Sequence, residues 1–238
     1  MTRRRWIADE VTGDRAALVE AHADHLVRVL RARVGQEFDI SAGGRVRRGR
    51  IASVTPQRVE FELAEDVPAS AAPQIHLYLA VFKFDRFEWA VEKATELGAA
   101  RIVPVIARRT DSHLAAAAAK RAERWRRIAR EAAEQSRRTS PPEIAEPVKL
   151  KAALAGAGGT RIVLAESEQG TTLKDALASA AEPVLLAIGP EGGWTSDELR
   201  QFTESGWISS GLGPTVLRAE TAAVAAVAIA VSELATGD

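Results

Sequence analysis

Four apolar runs organise the chain beyond residue 74: IHLYLAVF, RIVPVIA, TRIVLAE and VLLAIGP, starting at positions 75, 101, 160 and 184. None shows the polar alternation of a sheet with one wet face, so each is expected to be covered on both sides. The segments between them have helical spacing. DRFEWAVEKATELGA puts Phe87, Ala90, Val91, Ala94 and Leu97 on one face and stops at Gly98. A long helical pattern runs from about residue 114 to 135, and TLKDALASA supplies a shorter one. Thr195, Ser196, Asp197 and Glu198 form a capping box for a helix that ends at Gly206. A short strand at 207–209 and an apolar helix over AAVAAVAIAV (222–231) follow. Parallel strands need long crossovers, which these helices provide. The pattern therefore specifies an α/β fold with a mostly parallel sheet clothed on both faces.

The first seventy residues read differently, as a small β-rich unit. EFDISA and RVRRGRIASV flank Gly43 and Gly44, which predicts a hairpin, and RVEFELAED alternates Val59, Phe61 and Leu63 with charged neighbours. AHADHLVRVLRARVG places Leu26, Val29, Leu30 and Val34 on one helical face, with Gly35 as its stop. Residues 64–74, AEDVPASAAPQ, are the best linker. The expected domains are residues 1–70 and 74–238.

Composition narrows the function. A hydrophobic fraction of 46% with 27% charged residues is that of a globular protein, and the absence of cysteine removes disulfides and thiolate metal sites. The amino-terminal residues lack the apolar run of a signal peptide, and the longest apolar stretch is too short to span a bilayer, so a soluble cytoplasmic protein without a membrane partner is expected. The net charge of zero conceals basic segments: residues 1–50 hold eleven Lys/Arg against seven Asp/Glu, and residues 120–138 hold eight against three. Such patches suit a polyanion held at particular surfaces, although exposed helices also carry solvated arginines.

Ligands of open α/β sheets bind beyond the carboxyl ends of the strands. Three glycine-bearing loops lie there: AESEQG after IVL, AIGPEGG, and GLGP. A phosphate does not fit them. No G-x-x-x-x-G-K-[ST] occurs, no Lys or Arg stands between Gly189 and Glu198, and Glu191 would repel an anion. GAGGTR lacks the last glycine of a dinucleotide fingerprint and precedes a strand. The four histidines are scattered, so no metal site is expected, and G-x-S-x-G is absent. A neutral or cationic ligand that uses backbone hydrogen bonds fits best. S-adenosylmethionine is one, with adenine against Ile188 and Leu212.

LAIGPEGGWTSDE followed by LGPTVLRAETAAVAA resembles the paired signature of the ribosomal RNA small subunit methyltransferase E family, SPOUT-class enzymes that methylate N3 of a uridine in 16S rRNA. The likeness continues through DRFEWAVEKATELGAARIVPVIARRT, RWRRIAREAAEQS and HADHLVRVLRARVG, and so covers most of the chain. It implies a PUA-like small β-barrel for RNA binding, then a SPOUT domain with a parallel sheet and a C-terminal deep trefoil knot. It also implies a homodimer acting on 16S rRNA in the small ribosomal subunit, with S-adenosylmethionine as cofactor and no metal. Around the cofactor it places Leu164, Glu166, Ile188, Gly189, Pro190, Glu191, Gly192, Gly193, Leu212, Gly213, Leu217 and Thr221.

For the chemistry, Glu191 is the expected base for the uridine imide proton, with Glu220 the second carboxylate and Arg218 the cation that steadies charge on the base or positions RNA. Glu220 and Thr221 are equally placed to cap the last helix. The expected RNA contacts are Arg28, Arg31, Arg33, Arg47 and Arg48 in the first unit, and Arg86, Arg124, Arg127 and Arg138 beyond it. Three short stretches depart from the family pattern. Phe84 replaces glycine in Lys-Gly-Asp-Arg, Arg137, Arg138 and Thr139 replace Gly-Arg-Asn, and Thr215 replaces an arginine. All bear on RNA rather than cofactor. A SPOUT enzyme for another rRNA or tRNA base, and a non-catalytic RNA-binding assembly factor, stay open as alternatives.

Overall fold

The computed structural model describes residues 5–42, 45–67, 72–155 and 158–235. The hairpin glycines at 43 and 44 and positions 68–71 of the expected linker lie outside the described residues. The chain forms two compact units, one of residues 1–71 and 133–141, the other of 72–132 and 142–238.

The first unit contains β1 (Arg5–Ile7), β2 (Glu10–Thr12), β3 (Arg15–Val19), β4 (Glu37–Ala42), β5 (Arg45–Thr55) and β6 (Arg58–Asp66) in the order β1-β4-β5-β6-β3-β2. β4 and β5 pair antiparallel with Ala42 opposite Arg45, as the expected hairpin requires. Val59, Phe61 and Leu63 face a core shared with Leu18, Leu26, Ile40 and Ile51. The expected helix is shorter than its hydrophobic pattern. α1 (Glu20–Asp24) passes into a π-helical turn, His25–Val29, in which Leu30 N–H donates to the His25 carbonyl five residues back. The wider turn rotates later side chains out of register, and Arg31 leaves the helical region at φ 50°. Leu26 is buried, but Val29 and Val34 are 63% and 64% exposed, contrary to the single apolar face the sequence suggests.

The second unit is the α/β fold. It comprises β7 (Ile75–Ala80), α2 (Phe84–Leu97), β8 (Arg101–Ile106), α3 (Ser112–Gln135) as far as residue 132, β9 (Glu143–Ile144), β10 (Val148–Lys149), α4 (Leu150–Leu154), β11 (Thr160–Leu164), α5 (Leu173–Leu177), β12 (Val184–Ile188), α6 (Ser196–Glu204), β13 (Ile208–Ser210) and α7 (Ala219–Ala235). The strands run in the order β10-β8-β7-β12-β11-β13, with β9 also on β8, and every pair is parallel. Alternate residues serve opposite layers. Ile75, Leu77, Leu79, Leu186 and Ile188 pack with α2, α3, α5 and α7, where the tilted rings of Phe87 and Trp125 have centroids 4.6 Å apart. Tyr78, Ala80, Val163, Leu185 and Ala187 face α4 and α6 across an aromatic chain of Trp194, Phe202 and Trp207. Both faces are thus filled, which is why the strands carry no polar alternation. Gly98 ends α2 at φ 112°, a conformation that a side chain would strain.

Candidate active site

Loops beyond β8, β11, β12 and β13 meet at the carboxyl edge of the sheet and enclose a cavity of about 290 Å³. The loop after β11 contributes Ala165, Glu166 and Ser167, next to Leu164 of the strand. The loop after β12 contributes Gly189, Pro190, Glu191, Gly193 and Trp194, next to Ile188. The loop after β13 adds Gly211, Leu212, Gly213, Thr215, Val216 and Leu217, and α7 adds Ala219 and Ala222. Of the expected cofactor set, Gly192 and Thr221 fall outside this wall. The Gly192 carbonyl instead accepts a hydrogen bond from Arg109, and Thr221 is exposed in the first turn of α7.

Close backbone crossings set the shape of the wall. Gly211 N–H donates to the Thr171 carbonyl at 2.9 Å, and Leu173 N–H donates to the Gly211 carbonyl at 3.0 Å. A Cβ on Gly211 would lie 2.4 Å from the Glu168 carbonyl oxygen, so only glycine fits where the two loops pass. The sequence points to Gly213 and passes over Gly211, whose only signal is its place as the first glycine of GLGP. Glu168 braces the same crossing, accepting from Gly170 N–H at 2.9 Å and Thr171 N–H at 3.3 Å. Those donors hold its carboxyl below the usual carboxylate range.

The loop after β12 is fixed from its far end. Glu198, 5% exposed, accepts through Oε2 from Thr195 N–H at 2.8 Å and from its hydroxyl at 2.9 Å, completing the expected capping box. Its Oε1 accepts from Arg108 N–H at 2.7 Å. One carboxylate therefore caps α6 and ties down the loop after β8, which delivers Arg109 to the cavity. Nothing in the sequence singles out Arg109, where two adjacent arginines look like surface charge.

The expected catalytic groups divide. Arg86 Nη1 donates to Glu191 Oε1 at 2.8 Å and its Nε lies 3.8 Å from Glu220 Oε1. Glu191 lines the cavity; Glu220 is buried behind it, and its Oε2 has no hydrogen-bond partner among the described residues. Arg218 is exposed and outside the wall, and its carbonyl accepts from Ala222 N–H at the start of α7.

The arginines expected to touch RNA also differ in kind. Arg28 pairs with Asp24 at 2.6 Å and stays largely exposed, as do Arg31 and Arg33. Arg47 is consumed internally, donating to the Ala64 and Leu63 carbonyls at 3.0 and 3.2 Å and to Asp14 at 2.8 Å. Arg48 lies 3.7 Å from Asp39. Arg124 donates to Glu88 at 2.8 Å, while Arg127 is exposed beside Glu131. Arg138 is half-buried, which lowers its pKa. Arg86 belongs to the carboxylate bridge already described.

The parallel sheet and the glycine-lined cavity at its carboxyl edge lie within a segment, residues 70–231, that matches the family model described as "RNA methyltransferase domain". The ribosomal RNA small subunit methyltransferase E of Aquifex aeolicus is 32% identical over 226 residues, covering 94% of this chain and 97% of that one. Its Bacillus subtilis counterpart is 33% identical over 229 residues, covering 90% and 89%. The chain belongs to the ribosomal RNA small subunit methyltransferase E family. Among solved structures, the Neisseria gonorrhoeae member bound to S-adenosyl methionine superposes with a TM-score of 0.84 at 29% identity, over 95% of both chains. A putative methyltransferase from Legionella pneumophila in complex with the bound cofactor SAM gives 0.83 at 28% identity, over 98% of both. Among the described residues no group of three or more His, Asp or Glu is placed to hold a metal ion, and no helix is long and apolar enough to cross a membrane.

Proposed function

We propose that this chain transfers a methyl group from S-adenosylmethionine to N3 of a uridine in 16S rRNA of the small ribosomal subunit, in the cytoplasm and as a homodimer. The observation that carries the reading is the cavity itself. Leu164, Ile188, Leu212 and Leu217 give it apolar walls suited to a nucleoside, and its glycines bare backbone groups that hydrogen-bond without adding charge. Its carboxylates, Glu166 and Glu191, suit a ligand that carries positive charge. Bound S-adenosylmethionine supplies an activated methyl group there.

The chain's own groups prepare the acceptor. Glu191 takes the imide proton of the uridine, with Arg86 holding its carboxylate in place. Glu220 keeps Arg86 aligned from behind, and Arg218, exposed where α7 begins, meets the charge that spreads over the uracil oxygens or an RNA phosphate. The exposed Arg28, Arg31, Arg33 and Arg127 supply phosphate contacts, which position RNA without reading its sequence.

Two finer features belong to the same reading. The first unit, residues 1–70 in the expected division, closes as a PUA-like barrel. Its support is that β1 and β2, at opposite ends of the strand order, are separated by only Ala8 and Asp9. Residues 74–238 form the SPOUT domain with a trefoil knot. Its support is the lacing of Gly211 against Thr171, after which the chain leaves the α6 layer and enters the opposite layer as α7. α7 is apolar around its circumference yet leaves Val224, Ala225 and Ala228 half-exposed, which suits cover by a second copy.

The test is methylation of purified small subunits from a strain lacking this activity, with labelled S-adenosylmethionine and mass spectrometry of the nucleosides. N3-methyluridine in 16S rRNA is expected. Cofactor binding without transfer to subunits or naked rRNA would redirect the search to another RNA.

A further inference from the structure

The cavity wall holds two carboxylates, Glu166 and Glu191, and among the described residues a single basic side chain, Arg109. Its loop is anchored on both sides. The Thr110 hydroxyl accepts from Ala107 N–H at 3.1 Å and donates to the Val81 carbonyl at 3.0 Å, and Arg108 N–H is held by Glu198. From this base the Arg109 side chain lies across the loop after β12. A Cβ on Gly192 would sit 3.2 Å from Arg109 Cδ. Nη1 donates to the Gly192 carbonyl and lies 3.5 Å from that of Trp194.

Carbonyls satisfy donors but do not neutralise a charge. Among the described residues no carboxylate stands within ion-pair distance of Arg109: Glu191 is engaged by Arg86, and Glu198 spends both oxygens on Arg108 and Thr195. With Nη1 committed, Nη2 and Nε remain as a planar two-donor edge, the shape that binds a carboxylate in parallel. The proposed methyl donor carries two cationic groups, its sulfonium and its ammonium, and one anion. Two carboxylates and one guanidinium in the wall complement that set.

We propose that Arg109 binds the α-carboxylate of S-adenosylmethionine, so that it reads the amino-acid end of the donor rather than the nucleoside. The inference rests on the methyl-donor reading above. It is tested by calorimetric titration with S-adenosylhomocysteine, which has the carboxylate, and 5′-methylthioadenosine, which lacks the amino-acid end.

The wild-type protein prefers S-adenosylhomocysteine. Arg109→Ala loses about tenfold or more of that preference, the worth of a charge-assisted pair, while affinity for 5′-methylthioadenosine stays within about twofold. Arg109→Gln, which keeps a donor for the Gly192 carbonyl, shows the same loss; Arg109→Lys, charged but without the fork, falls between. A preference unchanged in the alanine and glutamine variants overturns the proposal. That holds whether both ligands weaken together or only rRNA binding declines, the latter assigning Arg109 to an RNA phosphate. If the wild-type protein binds neither ligand, the methyl-donor reading itself fails and this inference falls with it.

Discussion

Arg86 on α2 reaches Glu191 at 2.8 Å and Glu220 at 3.8 Å, so one guanidinium joins the loop after β12 to the first turn of α7. Glu220 is the more dependent of the two carboxylates. It is 9% exposed, and its Oε2 already lacks a hydrogen-bond partner among the described residues. Arg86→Ala would leave a buried charge without its counter-ion. We expect a stability loss of about 1–3 kcal/mol in urea denaturation, together with slower methyl transfer. Adding Glu220→Gln should recover much of the stability, because a neutral amide tolerates burial better. A single variant as stable as the parent would show that the bridge contributes nothing.

The two close-packed glycines of the cavity should differ in their sensitivity. A Cβ at Gly211 meets a backbone oxygen at 2.4 Å, whereas one at Gly189 meets Trp194 N at 3.1 Å. Gly211→Ala must separate two chain segments, and its cofactor affinity should fall at least about tenfold, or ~1.4 kcal/mol. Gly189→Ala should cost less. Equal affinities for both variants in titration with S-adenosylhomocysteine would contradict the steric account.

Glu198 caps a helix and ties a second loop, while Thr195 does only the first. Thr195→Ala should therefore cost about 1 kcal/mol, as caps do, and Glu198→Ala more, because Arg108 N–H is stranded as well. Denaturation midpoints give the order directly; a larger loss at Thr195 would reverse it.

The Glu168 carboxyl is held below its ordinary range chiefly by Gly170 N–H, then Thr171 N–H. A folded-state pKa below the unfolded one contributes stability that is present above the unfolded value, about 4.3, and is lost as pH falls through the folded value. The melting temperature of wild type should exceed that of Glu168→Gln at pH 6, with the gap closing toward pH 3. A gap that widens on acidification would have the wrong sign.

Arginines that are exposed and those with internal partners should separate by assay. Arg33→Ala and Arg127→Ala should leave melting unchanged and reduce the salt dependence of rRNA binding, by roughly one unit of slope for each phosphate no longer neutralised. Arg47→Ala should lower the melting temperature, since three internal partners lose their donor. A slope indifferent to Arg33 and Arg127 would remove them from the RNA surface.

What is legible in the sequence is local. Unbroken apolar strands with helical segments between them specify a doubly covered parallel sheet, and Gly98 and the Thr195 capping box announce helix ends within a few residues. The π-helical turn at His25–Val29 is not legible, because Val29 and Val34 fit an α-helical face until one wider turn moves them. Arg86 and Glu191 are 105 positions apart, and nothing in either neighbourhood marks them as partners. Gly211 is similar, its necessity arising from the backbone at Glu168, which only the folded crossing brings near. Arg109 is placed by the Gly192 and Trp194 carbonyls, 83 and 85 positions away, and nothing near it in the sequence marks that placement.

The Gly211 crossing also imposes an order in time. Synthesis delivers the loop that carries Arg109 first, then those at residues 165 and 189, and only afterwards residues 211–222, which form the remaining wall. Earlier segments can settle as they emerge, yet the pocket has no closed shape until Gly211 lies against Thr171. A chain that stops short of residue 211 therefore lacks one whole wall of the pocket, however well its earlier strands have settled.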